Sequence, residues 1–321
     1  MLRIATRRSA LARAQALAVG RLLQERTGRP FELVAMAATG DLHPGRAVGA
    51  FDSKGLFVDT LRQAVLDGDC ALAVHSYKDL PTEPVAGLVI GAVPPREDPR
   101  DVLVTVDGST LDTLPPAAAV GTSSARRRLQ LLAARLSLRV QALRGNLDTR
   151  LRRVADGDLG AVVVAAAGLR RLYPDRGAGA LGLQAVALAP DECLPAPAQG
   201  ALAVECRAGD AETLSLCARI DDASARRQVR AERAFLAALG GGCLAPVGAL
   251  CQVAGSGQLQ LAGLLADPSS SQVLRRSLRD SDDRPEQRGA ALAEQVVAAG
   301  GAQVLAAIAE LRRAQAGGVA H

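Results

Sequence analysis

Val120-Gly121-Thr122-Ser123-Ser124-Ala125-Arg126-Arg127-Arg128 runs from a short apolar stretch through a glycine and three hydroxyls into a row of arginines. That order reads as a strand, a tight turn and a helix capped by a hydroxyl. Leu143-Arg144-Gly145-Asn146-Leu147-Asp148-Thr149-Arg150-Leu151 repeats the plan, with Arg144 at the strand end and Arg150 one turn into the helix. Units of this kind build α/β domains, whose ligands sit beyond the C-terminal ends of strands. N–H groups at a helix start, hydroxyls and guanidinium forks suit carboxylate or phosphate oxygens. Two arginine-bearing strand ends therefore predict a polyanionic ligand, although a Ser-capped helix with a solvated basic face would explain the first string alone. Walker-type Gly-Lys-Ser/Thr and GxGxxG signatures are absent, which disfavours a nucleotide.

Outward from these strings, short apolar runs alternate with helical patterns. Strands are expected at Leu2–Thr6, Glu32–Ala37, Ala71–His75, Leu88–Val93, Val102–Val106, Ala118–Gly121, Leu138–Leu143, Ala161–Ala166, Val186–Ala189 and Ala201–Glu205, and helices at 9–26, 56–67, 124–134 and 146–156. The rhythm predicts largely parallel sheets. Two stretches, Pro94-Pro95-Arg96-Glu97-Asp98-Pro99-Arg100 and Pro195-Ala196-Pro197-Ala198-Gln199-Gly200, read as hinges, and two crossings between one pair of domains would leave a cleft. Beyond residue 214 the pattern changes to a long helix (223–239), three strand-like runs (247–253, 258–266, 272–279) and a helical segment from 285 to about 314. The expected domains are 1–95 with 195–213, then 96–194, then a small α+β domain, 214–321.

Composition narrows the function. The chain has 321 residues (33.0 kDa), 49% apolar but only 2% aromatic, so its core is aliphatic. No Trp, four Phe and two Tyr argue against base-stacking platforms for single strands. A net charge of +5 suits an anionic ligand. Of 38 basic residues only Lys54 and Lys78 are lysines; where Arg has replaced Lys so thoroughly, a surviving Lys either marks a place that needs a compact ammonium or is left by chance. Six cysteines without CxxC, and three scattered histidines, predict reduced thiols and no metal site. Residues 1–24 carry five arginines and no acid but read as a strand entering an amphipathic helix, not as a targeting segment, and no stretch is expected to span a membrane.

Three further strings carry chemistry. Val74-His75-Ser76-Tyr77-Lys78-Asp79-Leu80-Pro81 ends a strand, and Asp79 is the best acid/base candidate, with Lys78 beside it to keep the carboxylate ionised. A surface ion pair is the plainer reading. Ser53-Lys54-Gly55-Leu56-Phe57 puts a cation at a helix start, against the dipole, which a ligand explains better than stability does. Gly240-Gly241-Gly242-Cys243 presents a thiol on a glycine loop, as a nucleophile, a covalent anchor or an incidental turn cysteine.

Taken in order, IATRRSALA, SKGLF, AVHSYKDLP, REDPRD, VGTSSARRR, LRGNLDTRL, AAAGLRRL, PAQGALAVEC and AERAFLAALGGGC resemble the porphobilinogen deaminase (hydroxymethylbilane synthase) family over nearly the whole chain. The resemblance implies two type II periplasmic-binding-protein-like α/β domains with a cleft between them, plus a small C-terminal α+β domain. It implies a dipyrromethane cofactor on Cys243 through a thioether, and a transferase of tetrapyrrole (haem) biosynthesis. Four porphobilinogen molecules would be deaminated and joined head to tail, and water would release hydroxymethylbilane. Asp79 becomes the catalytic residue. Lys78, Thr122, Ser123, Ser124, Arg126, Arg127, Arg144 and Gly145 become cofactor contacts. Arg7, Ser9, Lys54, Arg150, Arg171 and Gln199 become substrate contacts. Each pyrrole carries an acetate and a propionate, which accounts for the arginines. The chain departs from the family pattern at Tyr77, where Met or Leu is usual, at Phe51-Asp52-Ser53, and at Pro197-Ala198 in place of Val-Gly. The expected partners are porphobilinogen and the next enzyme of the pathway, with no nucleic acid and no membrane, for a cytoplasmic monomer. The rival reading is a non-catalytic anion-binding protein of the same two-domain fold.

Overall fold

The computed structural model describes residues 1–36, 52–240, 245–254, 258–270, 272–280 and 284–317. The first sheet is built from β1 (Leu2–Arg7), β2 (Phe31–Met36), β3 (Leu72–Ser76), β4 (Leu88–Ala92) and β10 (Leu202–Arg207), in the order β2-β1-β3-β10-β4. The second uses β5 (Asp101–Thr105), β6 (Ala119–Gly121), β7 (Arg139–Gln141), β8 (Ala161–Ala165) and β9 (Gln184–Ala187), in the order β7-β6-β8-β5-β9. Each sheet has the same plan: β1 pairs in parallel with β2 and β3, as β6 does with β7 and β8, while one reversed strand, β10 or β5, lies antiparallel between its two neighbours. These are two mixed α/β sheets built on one plan, as expected of two like α/β domains. The expectation of largely parallel sheets is corrected to mixed ones. The reversed strands are those reached through a crossing between domains, so their direction is set by where the chain comes from and not by local pattern.

Helices α1 (Ala10–Thr27), α2 (Asp52–Leu66), α3 (Ala125–Ala134), α4 (Leu147–Ala155) and α5 (Ala166–Leu172) flank the sheets. Ser9, Ser124 and Asn146 cap α1, α3 and α4 with their side-chain oxygens. Helix α2 begins about a turn before its expected start, β9 lies two residues early, and α5 takes over at Ala166 where a strand was expected to continue. Aliphatic cores cover both faces of each sheet, around Ile4, Leu23 and Leu72 in the first and around Leu103, Leu151 and Val162 in the second. Helix α6 (Ala211–Ala218) packs Cys217 into the first of these cores.

The C-terminal part is α+β: α7 (Ala223–Ala238), the meander β11 (Val247–Val253), β12 (Leu259–Ala266) and β13 (Val273–Asp280), then α8 (Pro285–Val296) and α9 (Ala302–Gly317). Phe235 is fully buried between α7, α8 and the sheet. Gly289 of α8 lets two helix backbones touch, for a Cβ there would collide with the Ala231 carbonyl oxygen and the Phe235 nitrogen. The C-terminal helical segment is broken at Ala299 and Gly300. Against expectation, residues Pro285–Leu311 are long and apolar enough to cross a membrane (mean hydropathy 1.4). In the fold their apolar residues Leu292, Val296, Val304 and Ile308 pack into the third core.

Candidate functional site

The two crossings run from β4 to β5 and from β9 to β10, and they lie against each other. Glu97 N donates to Gly200 O (3.3 Å) and Arg96 Nε donates to Gln199 O (3.0 Å). Gly200 has φ +89°, and a Cβ there would collide with the Glu97 carbonyl oxygen, so only glycine fits. Both crossings meet at one carboxylate on α7. Glu232, fully buried, accepts from Arg96 Nη1 (2.7 Å) and Nη2 (2.9 Å), Ala198 N (2.6 Å) and Cys251 N (2.7 Å). Ala198 itself stands at φ +61°, a conformation in which L-residues are strained.

Where β3 ends, Tyr77–Asp79 form a single 3₁₀ turn after Ser76. Tyr77 N donates to Ala201 O (3.1 Å), so the turn is fixed to the second crossing. Lys78 Nζ donates to Gln199 Oε1 (3.0 Å), and Gln199 Nε2 donates to Asp101 Oδ1 (2.8 Å) and Pro99 O (2.8 Å). Asp101 begins β5 and holds Arg126 (2.8 Å) and Arg127 (2.7 Å). A hydrogen-bonded chain thus runs from Lys78 on the first domain to the arginines of the second.

The electrostatics follow from burial. Desolvation would raise the Asp101 carboxyl, but Arg126 and Arg127 outweigh it and hold it well below the usual carboxylate range. Burial, reinforced by the Arg127 guanidinium, pushes the Lys78 ammonium down to about 8. Burial lowers Arg171 to about 10, and burial with Arg127 lowers Arg150. Each of these cations would gain from an anion beside it.

The hydroxyls of the first string are occupied locally. Ser123 Oγ donates to Leu143 O (2.5 Å) and accepts from Leu143 N (3.0 Å), which ties the two Gly-turn loops together. Thr122 Oγ1 accepts from Ser124 N (3.2 Å), and Ser124 Oγ accepts from Arg127 N (3.4 Å). Gly145 stands at φ +107°, and its carbonyl accepts from Arg150 Nε (2.9 Å). Arg144 is exposed, and no hydrogen-bond or ion-pair partner for it is found among the described residues. Arg171 Nη2 donates to Gly200 O (2.6 Å). Arg7 ends β1, and Ser9 Oγ accepts from Ala12 N (3.3 Å).

The structure therefore joins Lys78, Gln199, Arg126 and Arg127 through Asp101, and Arg150 feels the charge of Arg127. Cys243 and the Lys54 side chain lie outside the described residues. Reading the sequence missed Asp101 and Glu232. Both stand inside strings singled out above, REDPRD and AERAF, but nothing local shows which residues they meet.

Comparison with known proteins identifies the family. The family model "Porphobilinogen deaminase, dipyromethane cofactor binding domain" matches residues 2–215, and "Porphobilinogen deaminase, C-terminal domain" matches residues 226–298. Proteins named porphobilinogen deaminase are similar over nearly their full length. The one from Nocardia farcinica is 48% identical over 96% of this chain and 89% of its own, that from Mycobacterium avium 45% over 95% and 96%, and that from Brevibacillus brevis 42% over 95% and 97%. A solved periplasmic substrate-binding protein from Coxiella burnetii aligns at 14% identity and TM-score 0.40, over 70% of this chain and 94% of its own.

Proposed function

The chain belongs to the porphobilinogen deaminase family, and from that premise we propose how its residues share the chemistry. It is a transferase that deaminates four porphobilinogen molecules, joins them head to tail on a covalently held dipyrromethane and releases linear hydroxymethylbilane by hydrolysis, in tetrapyrrole biosynthesis. The anion-binding alternative is not favoured, because the C-terminal domain also matches the family and the relatives match across almost the whole chain.

One observation carries the site assignment: the hydrogen-bonded chain from Lys78 through Gln199 and Asp101 to Arg126 and Arg127. It sets two guanidinium charges against a single carboxylate and leaves the site positive. Lys78, Arg150 and Arg171, each with its cation destabilised by burial, fit the acetate and propionate groups that dipyrromethane and porphobilinogen share. When bound, the cofactor supplies the pyrrole carbon on which the product is built.

Cys243 is the anchor in this reading. The other five cysteines are all buried, and burial pushes Cys193 and Cys251 up to about 12, so none of those two is a ready thiolate. Asp79, on a fixed turn at a strand end, accepts a hydrogen bond from the pyrrole N–H and so stabilises the cation left as ammonia departs from the aminomethyl group, and it takes up the proton released from the pyrrole α-carbon once the new carbon–carbon bond has formed. Arg144 meets the cofactor's carboxylates and Arg150 those of the substrate, both from the α4 side, and Arg171 receives a substrate carboxylate from α5. Arg7 and Lys54 complete the substrate side from the first domain. Thr122, Ser123, Ser124 and Gly145 shape the two loops that present these groups. Ser9 sets the start of α1. Gln199, buried with its polar atoms bonded, acts through Lys78 and Asp101. We place the chain in the cytoplasm as a monomer, free of nucleic acid and membrane, passing its product to the next enzyme of the pathway.

The test is the intact mass of the denatured protein before and after brief exposure to porphobilinogen. An excess over the sequence mass of about two pyrrole units, rising in single-unit steps, is expected. A bare mass that neither substrate nor preformed hydroxymethylbilane changes would overturn the assignment.

A further inference from the structure

Next to Glu232 on α7, Arg233 reaches in another direction. Its Nη1 donates to the carbonyl oxygens of Tyr77 (3.3 Å) and Leu80 (3.0 Å), and its Nη2 donates to that of Pro81 (2.5 Å). Its guanidinium carbon lies 4.4 Å from the centroid of the Tyr77 ring. Lys78 and Asp79 are the two residues bracketed by these carbonyls. Within the turn itself one backbone hydrogen bond, Leu80 N to Tyr77 O (3.2 Å), closes the 3₁₀ geometry. So short a turn is weakly self-supporting, and the C-terminal domain supplies three more bonds to it.

We propose that Arg233 is a positioning residue for the reaction: it holds the carbonyls on both sides of Lys78-Asp79 and so fixes the direction of the Asp79 carboxylate, with the Tyr77 ring as the face on which its guanidinium rests. The inference rests on the function proposed above. The planar fork matters, since its two separate nitrogens reach the Tyr77 and Leu80 carbonyls on one side and the Pro81 carbonyl on the other while the flat guanidinium lies on the ring, a spread that a single nitrogen centre does not cover. Tyr77 fits the same account. It stands where the resemblance gives Met or Leu, and its ring is buried at the contact between the first domain and α7 together with Leu80, Ala198 and Val229. A residue that merely glued the C-terminal domain in place would have no reason to converge on the carbonyls flanking the catalytic candidate.

The experiment compares kcat and KM for porphobilinogen in the wild type, Arg233→Lys, Tyr77→Leu and the double variant, each rated per cofactor-loaded molecule from the intact mass. Arg233→Lys is expected to lower kcat by about 10- to 100-fold with KM changed less than about twofold, as expected when a reacting group is misaimed and binding is spared. Tyr77→Leu, which changes no residue of α7, is expected to lower kcat about threefold to tenfold, and the double variant to lose no more than Arg233→Lys alone. Equal kcat per loaded molecule in Arg233→Lys and wild type overturns the inference, as do fully multiplicative losses in the double variant. A wild type that carries no pyrrole mass and consumes no porphobilinogen would overturn the functional reading beneath it, a different failure.

Discussion

Burial and the neighbouring guanidinium of Arg127 bring the Lys78 ammonium down to about 8, so this side chain titrates near the working range of an enzyme. Below that value it is charged and attracts a carboxylate; above it, a proton must be recovered before the ion pair can form. KM for porphobilinogen is therefore expected to climb above pH 8 in the wild type, and Lys78→Met should show a high KM without that climb. The stability sign is opposite. A lysine whose folded value is depressed burdens the native state while it is charged, and the burden lifts only between pH 8 and 10.5. Lys78→Met is expected to raise the melting temperature at pH 7 by about 2–4 °C. Asp79→Asn keeps size and hydrogen bonding but removes the charge and the basicity. It should fold normally, load cofactor and lose about 10²–10⁴-fold in kcat, which stopped-flow or product-formation assays would read. Asp79, Lys78 and the arginine strings were legible in the sequence because each ends a strand. What Arg126 and Arg127 do was not, for an arginine beside a helix start looks alike whether it faces water, a ligand or a buried carboxylate. Asp101, which meets them, is distant along the chain and carries no local pattern of its own.

Most strands and helices were legible as elements, since alternation and helical spacing are properties of a dozen adjacent residues. Sheet direction was not, because β5 and β10 take theirs from the crossings. The crossings supply two tests. Gly200→Ala places a methyl on the Glu97 carbonyl in a backbone conformation that alanine resists, and a loss of about 2–4 kcal/mol is expected from chemical unfolding. Glu232→Gln leaves the Arg96 guanidinium buried without its counter-charge, and about 3–5 kcal/mol should go with it. A melting temperature within a degree of wild type in either variant would contradict this account of the crossings.

At the scale of the whole molecule, acid acts on the buried carboxylates Asp101 and Glu205. Desolvation opposes ionisation of Asp101 and of Glu205, yet Arg126 and Arg127 for the first, and His75 and Arg62 for the second, leave both below their ordinary values. Their contribution is present above the unfolded values of 3.8 and 4.5 and is lost as pH falls through and below that range. The melting temperature, followed from pH 7 to 3, should hold its level down to about pH 5 and then drop, with the Asp101→Asn variant starting lower and dropping less.

Glu232 and Arg233 occupy consecutive positions on α7, and consecutive side chains on a helix diverge by about 100°. One is an anion that meets N–H donors and a guanidinium; the other is a cation that meets three carbonyl oxygens. Turn the helix by that same angle and a carboxylate would face the carbonyls. The pair works as a polarised key: the C-terminal domain has one azimuth at which it can seat, and a misrotated docking is repelled by charge before its side chains can interdigitate.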